Sequence, residues 1–185
     1  MSASDKWIYM DRNSKIEIFT LCVDMYIPLV ARTSFRILCD RNDSEIVSAM
    51  VFRKLWKMID KVNFSQMRLL MLRLTCRFCV LRLLRRMVLL PFQIRPSLFV
   101  TSSAADPSVD DYIKKEAWEI FCRASEKLSV LQRLVYTLHE LEELSLIEVS
   151  EILNLKPHLI ATALTKARKI VRNELSRYGK VVPIY

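Results

Sequence analysis

A single glycine, Gly179, among 185 residues is the feature that most limits what this chain can fold into. Phosphate-binding loops and dinucleotide fingerprints need several glycines so that the backbone can approach phosphate, and tight β-hairpins favour glycine at positive φ. Such sites are therefore excluded. Because 52% of the residues are hydrophobic and 26% are charged, the chain should fold. Its many leucines, arginines, methionines and glutamates favour helices, and we predict an all-α protein.

The positive charge is concentrated in two separate stretches. Residues 1–100 hold 17 basic and 8 acidic side chains, which accounts for the whole formal charge of +9. Residues 106–151 hold 11 acids against 5 bases, whereas residues 152–185 hold 7 bases and one acid. Two basic stretches around an acidic middle indicate two contacts with a polyanion.

The pattern of apolar residues predicts two small helical domains joined by a flexible linker. The boundaries are 14–88 for the first domain, 89–106 for the linker, 107–177 for the second domain and 178–185 for a C-terminal tail. The linker is predicted because Pro91, Pro96 and Pro107 surround a Ser-Ser-Ala-Ala run.

Four helical segments are predicted in the first domain. The first begins at Ser14 as N-cap and runs toward Pro28, and a second covers residues 29–38. Asp43 is the predicted N-cap of a third, which ends near Ile59. The fourth runs from about Phe64 to Met87 with six arginines and no acid, so we expect it to be largely buried with its guanidinium groups reaching outward.

The second domain ends in a pattern typical of a helix-turn-helix. After helices over residues 108–125 and 129–141, Ser145 and Glu148 have the capping-box spacing, and Asn154 suits a left-handed turn. A last, basic helix begins at Pro157 and reaches about Arg177. Small Ser150 at the helix crossing, with Ile160 and Leu164 facing inward, completes the pattern. A helical hairpin that merely packs a core is the alternative, but the basic residues after Thr165 favour contact with DNA phosphates.

Residues 131–175 resemble the C-terminal domain, region four, of bacterial RNA polymerase sigma factors of the extracytoplasmic-function (ECF) group. The residues that carry this resemblance are Leu131, Arg133, Val135, Leu138, Leu144, Ser145, Glu148, Val149, Glu151, Ile152, Leu153, Ile160, Leu164, Ala167 and Arg168. Residues 26–58 are similar to the start of region two of the same factors. The residues that carry that similarity are Tyr26, Asp40, Ser44, Glu45, Val51, Phe52, Leu55 and Trp56. Residues 64–86 match the position and the basic ending of the family's minus-ten helix.

The resemblance implies a sigma factor that directs core RNA polymerase to promoter DNA. It implies a minus-thirty-five contact by Lys156, His158, Thr162, Thr165, Lys166, Arg168, Lys169 and Arg172. It implies a minus-ten contact by Arg73, Arg77, Arg82, Arg85 and Arg86, where Phe64 and Phe78 could stack on a base or belong to the core. It implies polymerase binding through Glu45, Phe52, Lys54 and Trp56. An anti-sigma factor is a further expected partner, and we expect no cofactor, metal, catalytic residue or small-molecule substrate.

Several residues depart from the family's pattern. Ile46 and Ala49 stand where relatives carry the Asp and Gln that help region two to dock on polymerase, and Met71, Phe78 and Arg82 replace usual minus-ten residues. Leu159, Ala161 and Ala163 stand where Thr, Lys and Arg are common, which predicts weak or shape-based sequence preference, or an apolar surface for a protein. The alternative function is therefore a diverged sigma-like protein that acts through protein contacts or as a DNA-binding regulator without core polymerase.

Catalytic and membrane functions are not indicated. His139 and His158 lie in different helices without a nucleophile, and Glu140 reads as the solvated end of a helix. Cys76 and Cys79 form a CxxC that we interpret as two small buried residues on a helix, and the five irregular cysteines fit a reducing cytoplasm. We expect no signal peptide, and no membrane span because arginines interrupt the apolar stretch 64–92.

Overall fold

A computed structural model of the chain describes residues 12–89 and 109–177. Most of the described residues are helical, with no strand among them, and the predicted all-α class is confirmed. The chain divides into two compact units, Met1–Pro91 and Phe92–Tyr185. The predicted linker beyond Leu89, the N-cap pair Asp106–Pro107 and the tail 178–185 lie outside the described residues.

Three helices form the described part of the first unit. They are α1 (Arg12–Leu38), α2 (Arg41–Met58) and α3 (Met67–Leu89), with 3₁₀ turns at Ile59–Lys61 and Phe64–Gln66 between the last two. Each helix packs on the other two. The fully buried side chains of this core include Val30, Ile37, Val47, Leu55 and Met71.

Three predicted boundaries in this unit are wrong. Ser14 is not the N-cap of the first helix, because α1 already includes Arg12 and Asn13. Pro28 does not end the first helix, because α1 continues through it to Leu38. Proline costs one helical hydrogen bond, but residues on both sides of it, such as Cys22 and Val30, are buried in the core and hold both halves of the helix in place. The N-cap of α2 is Asp40 and not Asp43, since the Asp40 carboxylate accepts a hydrogen bond from the Asp43 backbone N–H over 2.9 Å.

Four helices form the described part of the second unit. They are α4 (Val109–Glu126), α5 (Val130–Tyr136), α6 (Leu146–Leu153) and α7 (Pro157–Arg177), and a π-helical turn, Thr137–Leu141, follows α5. Helix α7 packs against α4, α5 and α6. Phe121 of α4 stacks on Tyr136 of α5 with the ring centroids 5.7 Å apart, and the buried Val135, Leu138, Val149 and Ile160 close the core.

One described helix, Ser14–Leu38 within α1, is long and apolar enough to cross a membrane by length and composition alone. Its mean hydropathy is 1.3, and 22% of its most apolar window is buried in the fold. The most apolar stretch predicted from the sequence, residues 64–92, is a different one. A core helix can pass the same test, and α1 packs on both α2 and α3.

Candidate nucleic-acid interface

The turn between α6 and α7 is built by local interactions that the sequence predicts. Ser145 accepts a hydrogen bond from the Glu148 backbone N–H, and Glu148 accepts one from the Ser145 N–H, so both halves of the capping box are present. Asn154 closes α6 in the left-handed conformation, with φ 52° and ψ 47°. The Leu155 N–H then donates to the Ser150 carbonyl over 3.1 Å. These contacts fix the angle at which α7 leaves the turn.

The inner side of α7 is apolar and anchors the helix. Ile160, Leu164, Ala167 and Val171 are buried at spacings of three and four residues. Ala163 is also buried, with 6% of its surface exposed. The predicted apolar surface made of Leu159, Ala161 and Ala163 is therefore wrong in part, because Ala163 packs into the core and only Leu159, at 43%, is well exposed.

The outer side of α7, with Lys156 directly before the helix, brings together most of the residues predicted to contact DNA. The exposed residues from that set are Lys156, His158, Thr162, Thr165, Lys166, Arg168, Lys169 and Arg172. Acids are rare on this helix, and its one carboxylate, Glu174, is buried and paired with Lys127. The result is a second helix of a helix-turn-helix with a positive outer face, which is the geometry that places a helix in the DNA major groove.

Residues 119–171 match the family model described as Sigma-70, region 4. This part of the second unit is therefore similar to region 4 of sigma-70 factors. This match supports a sigma-factor-like role in DNA binding, and it includes α5, α6 and most of α7. No curated protein matches the chain.

One predicted DNA contact in the second unit, Arg168, already forms an ion pair within the fold. Its Nη2 and Nε lie 2.6 and 2.8 Å from Oε1 of Glu140, in the π-helical turn. The interpretation of Glu140 as a solvated helix end is wrong, because its side chain is only 22% exposed and holds α7 to the preceding turn. Nearby Tyr136 is buried, and this burial, reinforced by the Glu140 charge, raises its pKa to about 12.

A second ion-pair cluster fixes the end of α7. The buried Glu174 carboxylate lies 2.6 Å from Lys127 Nζ and 3.1 Å from Arg177 Nη1. The hydrogen bond from Lys127 is the main reason why the pKa of Glu174 is lowered, against the opposing effect of burial. Lys127 and Glu174 thereby connect the end of α4 to the last turns of α7.

The arginines predicted for the minus-ten contact divide into two groups in the first unit. Arg73, Arg77 and Arg85 are exposed on α3. Arg82 and Arg86 instead form ion pairs with Asp43 near the start of α2, and Asp43 is 6% exposed. These two guanidinium groups therefore stabilise the packing of α2 on α3. Sequence reasoning missed this role of Asp43 because no local pattern relates it to residues 39 and 43 positions away.

The residues predicted for polymerase binding lie on α2 at different depths. Glu45 and Lys54 are exposed, and Trp56 is 37% exposed with its ring 5.1 Å from Phe19 in an edge-on contact. Phe52 is 8% exposed. Phe52 is therefore a core residue, and its predicted role in polymerase binding stays a prediction.

For several other residues, the degree of burial distinguishes between two interpretations. Cys76 and Cys79 are buried on α3, as expected of structural residues, and burial raises the pKa of the Cys79 thiol. Phe64 is 42% exposed, so it is available for stacking on a base, whereas Phe78 is half-buried. The departures Ile46, at 42% exposed, and Ala49 both lie on the outer side of α2.

Proposed function

We propose that this protein is a sigma factor of the ECF type, which binds core RNA polymerase and directs it to promoter DNA. The observation that carries the proposal is the region 4 match over residues 119–171, which coincides with a helix-turn-helix whose second helix has a basic outer face. The positive charge of the first unit and its similarity to region two support the proposal that this unit also acts as part of a sigma factor. Because the proposed function is on DNA, we expect the protein in the cytoplasm. We also propose an anti-sigma factor as a further partner.

In this proposal α7 lies in the major groove of the minus-thirty-five element. Lys156 directly precedes α7, and His158, Thr162 and Thr165 occupy the outer face of its first three turns, where a recognition helix meets base edges. Lys166, Lys169 and Arg172 follow and contact phosphates, which gives affinity with little dependence on sequence. Arg168 contributes less, because leaving Glu140 would cost it an existing ion pair.

The first unit contacts the minus-ten element through α3. Arg73, Arg77 and Arg85 supply the positive surface, and Phe64 offers an exposed ring for an unpaired base. Arg82 and Arg86 support this surface from behind by holding α2 against α3.

Core polymerase would bind the outer side of α2. Glu45 and the exposed part of Trp56 lie on one flank of that side and Lys54 lies on the opposite flank, while Phe52 supports it from the core. A charge reversal on this side should weaken binding more than the same reversal elsewhere on the unit.

The test is co-elution of the full chain with purified core RNA polymerase at physiological salt. We expect a stable complex with the wild-type protein and a weakened one with Glu45→Lys. The matched control is Glu17→Lys, since Glu17 is also an exposed acid of the first unit but lies on α1. No complex with the wild-type chain would contradict the proposal.

A second function is favoured by the outer side of α2 itself. Ile46 and Ala49 are exposed there, although relatives have polar residues at these positions, so this side is more apolar than a region two surface normally is. A DNA-binding regulator that does not bind core polymerase would have this character. Duplex binding without polymerase binding in the same experiment would identify it.

A further inference from the structure

The first turns of α7 expose one large apolar side chain where a recognition helix meets the bases. Leu159 is 43% exposed, and His158 and Thr162 beside it on the outer face are also exposed. Residues three and four apart are neighbours on a helix surface, so Leu159 and Thr162 form one small patch. The domain's core does not account for an exposed leucine at this position.

The threonines of this face offer less polar readout than their hydroxyl groups suggest. The Thr162 hydroxyl donates to the His158 carbonyl over 2.8 Å, and the Thr165 hydroxyl donates to the Ala161 carbonyl over 2.9 Å. A hydroxyl has one proton, so neither threonine has a donor left for a base in this conformation. The patch therefore presents mainly carbon atoms.

In the major groove, the apolar feature by which bases differ is the C5-methyl group of thymine. We propose that this protein reads thymine methyl groups in its binding site through apolar contact with Leu159, with Thr162 beside it. This inference rests on the proposed DNA binding by α7. Leu159 is then a specificity residue, and the sites that α7 prefers contain thymine at the position opposite it.

Affinity and preference come from different parts of α7 in this arrangement. Lys166, Lys169 and Arg172 lie on later turns and supply phosphate contacts that depend on salt and not on the base. Removing a thymine methyl should therefore change the affinity for that duplex without changing the number of ions released on binding. The two effects can be measured separately.

The experiment compares binding of the full chain to four short duplexes. They are alternating dA-dT, the same duplex with deoxyuridine for thymidine, alternating dG-dC, and dG-dC with 5-methylcytosine. Each contacted methyl should be worth about a fourfold change in Kd, the value of one buried methylene-sized group. We expect tighter binding with thymine than with uracil, and with 5-methylcytosine than with cytosine, at an unchanged salt slope.

Two variants separate the patch from effects of the methyl group on DNA shape. Leu159→Ala should bring the thymine-to-uracil ratio close to one, and its fold should persist because the side chain is exposed. Ile147→Ala is the matched control, since Ile147 is an exposed aliphatic residue of the same domain, at 75%, but lies on α6. It should keep the full preference.

Three results would overturn the inference. Equal affinity of the wild type for thymine and uracil duplexes, with salt-dependent binding intact, would remove the inference and leave DNA binding by α7 in place. A preference that survives in Leu159→Ala would assign it to another residue. If the wild type binds thymine and uracil duplexes with equal affinity and Leu159→Ala loses polymerase binding, the patch is a protein contact. No binding to any duplex would overturn the proposed function itself.

Discussion

Arg86, near the end of α3, places its Nη2 3.1 Å from Oδ2 of Asp40, the residue that caps the start of α2. The same guanidinium group pairs with Asp43, and its Nη1 donates to the carbonyl of Leu38, the last residue of α1, over 3.2 Å. One side chain thus connects the end of α1, the start of α2 and α3. The sequence of α3 predicts a basic DNA-binding helix, but part of the positive charge of this helix stabilises the packing of the first unit.

Asp43→Ala should destabilise the first unit strongly. The substitution removes the carboxylate that pairs with both Arg82 and Arg86. Removing one partner of a buried ion pair lowers the free energy of unfolding by about 3 kcal/mol. Urea unfolding followed by circular dichroism measures the change. Glu45→Ala is the control, because Glu45 pairs with Arg41 at the surface and its loss should cost below about 1 kcal/mol. Equal effects of the two substitutions would contradict the structural role of Asp43.

Lys166→Ala combined with Lys169→Ala should weaken binding to every duplex alike. Two phosphate contacts are lost, so the slope of log affinity against log salt should decrease in magnitude by about 2. A salt titration by fluorescence anisotropy measures this. Arg168→Ala provides the contrast, since Arg168 is paired with Glu140 and should change the slope by well below 1. A loss confined to one sequence would contradict the assignment of the two lysines to phosphates.

Asn154→Val should destabilise the second unit, whereas Asn154→Gly should not. Asn154 has φ 52°, which is a left-handed conformation. This conformation destabilises a β-branched residue by about 1–2 kcal/mol, whereas glycine adopts it without steric strain. Thermal unfolding of the full chain measures both variants. A valine variant as stable as the wild type would mean that the turn relaxes out of this conformation.

The stability of the second unit should fall in acid because of Glu174. The folded state lowers the pKa of this carboxyl, chiefly through the Lys127 hydrogen bond. The stabilisation that Glu174 gives to the folded state is therefore fully present above its unfolded pKa of about 4.3 and is lost as the pH falls through its folded pKa. Glu174→Gln should remove this part of the pH dependence. Urea midpoints measured from neutral pH down to acid test it, and an unchanged acid slope in the variant would assign the loss to other groups.

The helix-turn-helix could be predicted closely because its signals are local. Ser145 with Glu148, Asn154 and Pro157 each act within one or two turns of helix, and the structure has each of them in the predicted role. Ile160 and Leu164 face the core for the same reason, since a period of 3.6 residues fixes which side of a helix is buried.

The division of the charged residues could not be predicted in the same way. Arg82 pairs with Asp43 across 39 positions and Arg168 pairs with Glu140 across 28, so each pair exists only once the helices are packed. The continuation of α1 through Pro28 and the burial of Ala163 have the same origin, because packing against other helices decides both. Composition gives the number of basic residues, and packing determines which of them remain for DNA.

Transcription with purified core RNA polymerase tests the central claim most directly. The template is a library of genomic fragments from the source of the chain, and the 5′ ends of the transcripts are sequenced with and without the protein. The account predicts discrete start sites that require the protein and disappear with Lys166→Ala combined with Lys169→Ala. Start sites identical to those of core polymerase alone, from a protein that still binds duplex DNA, would contradict it.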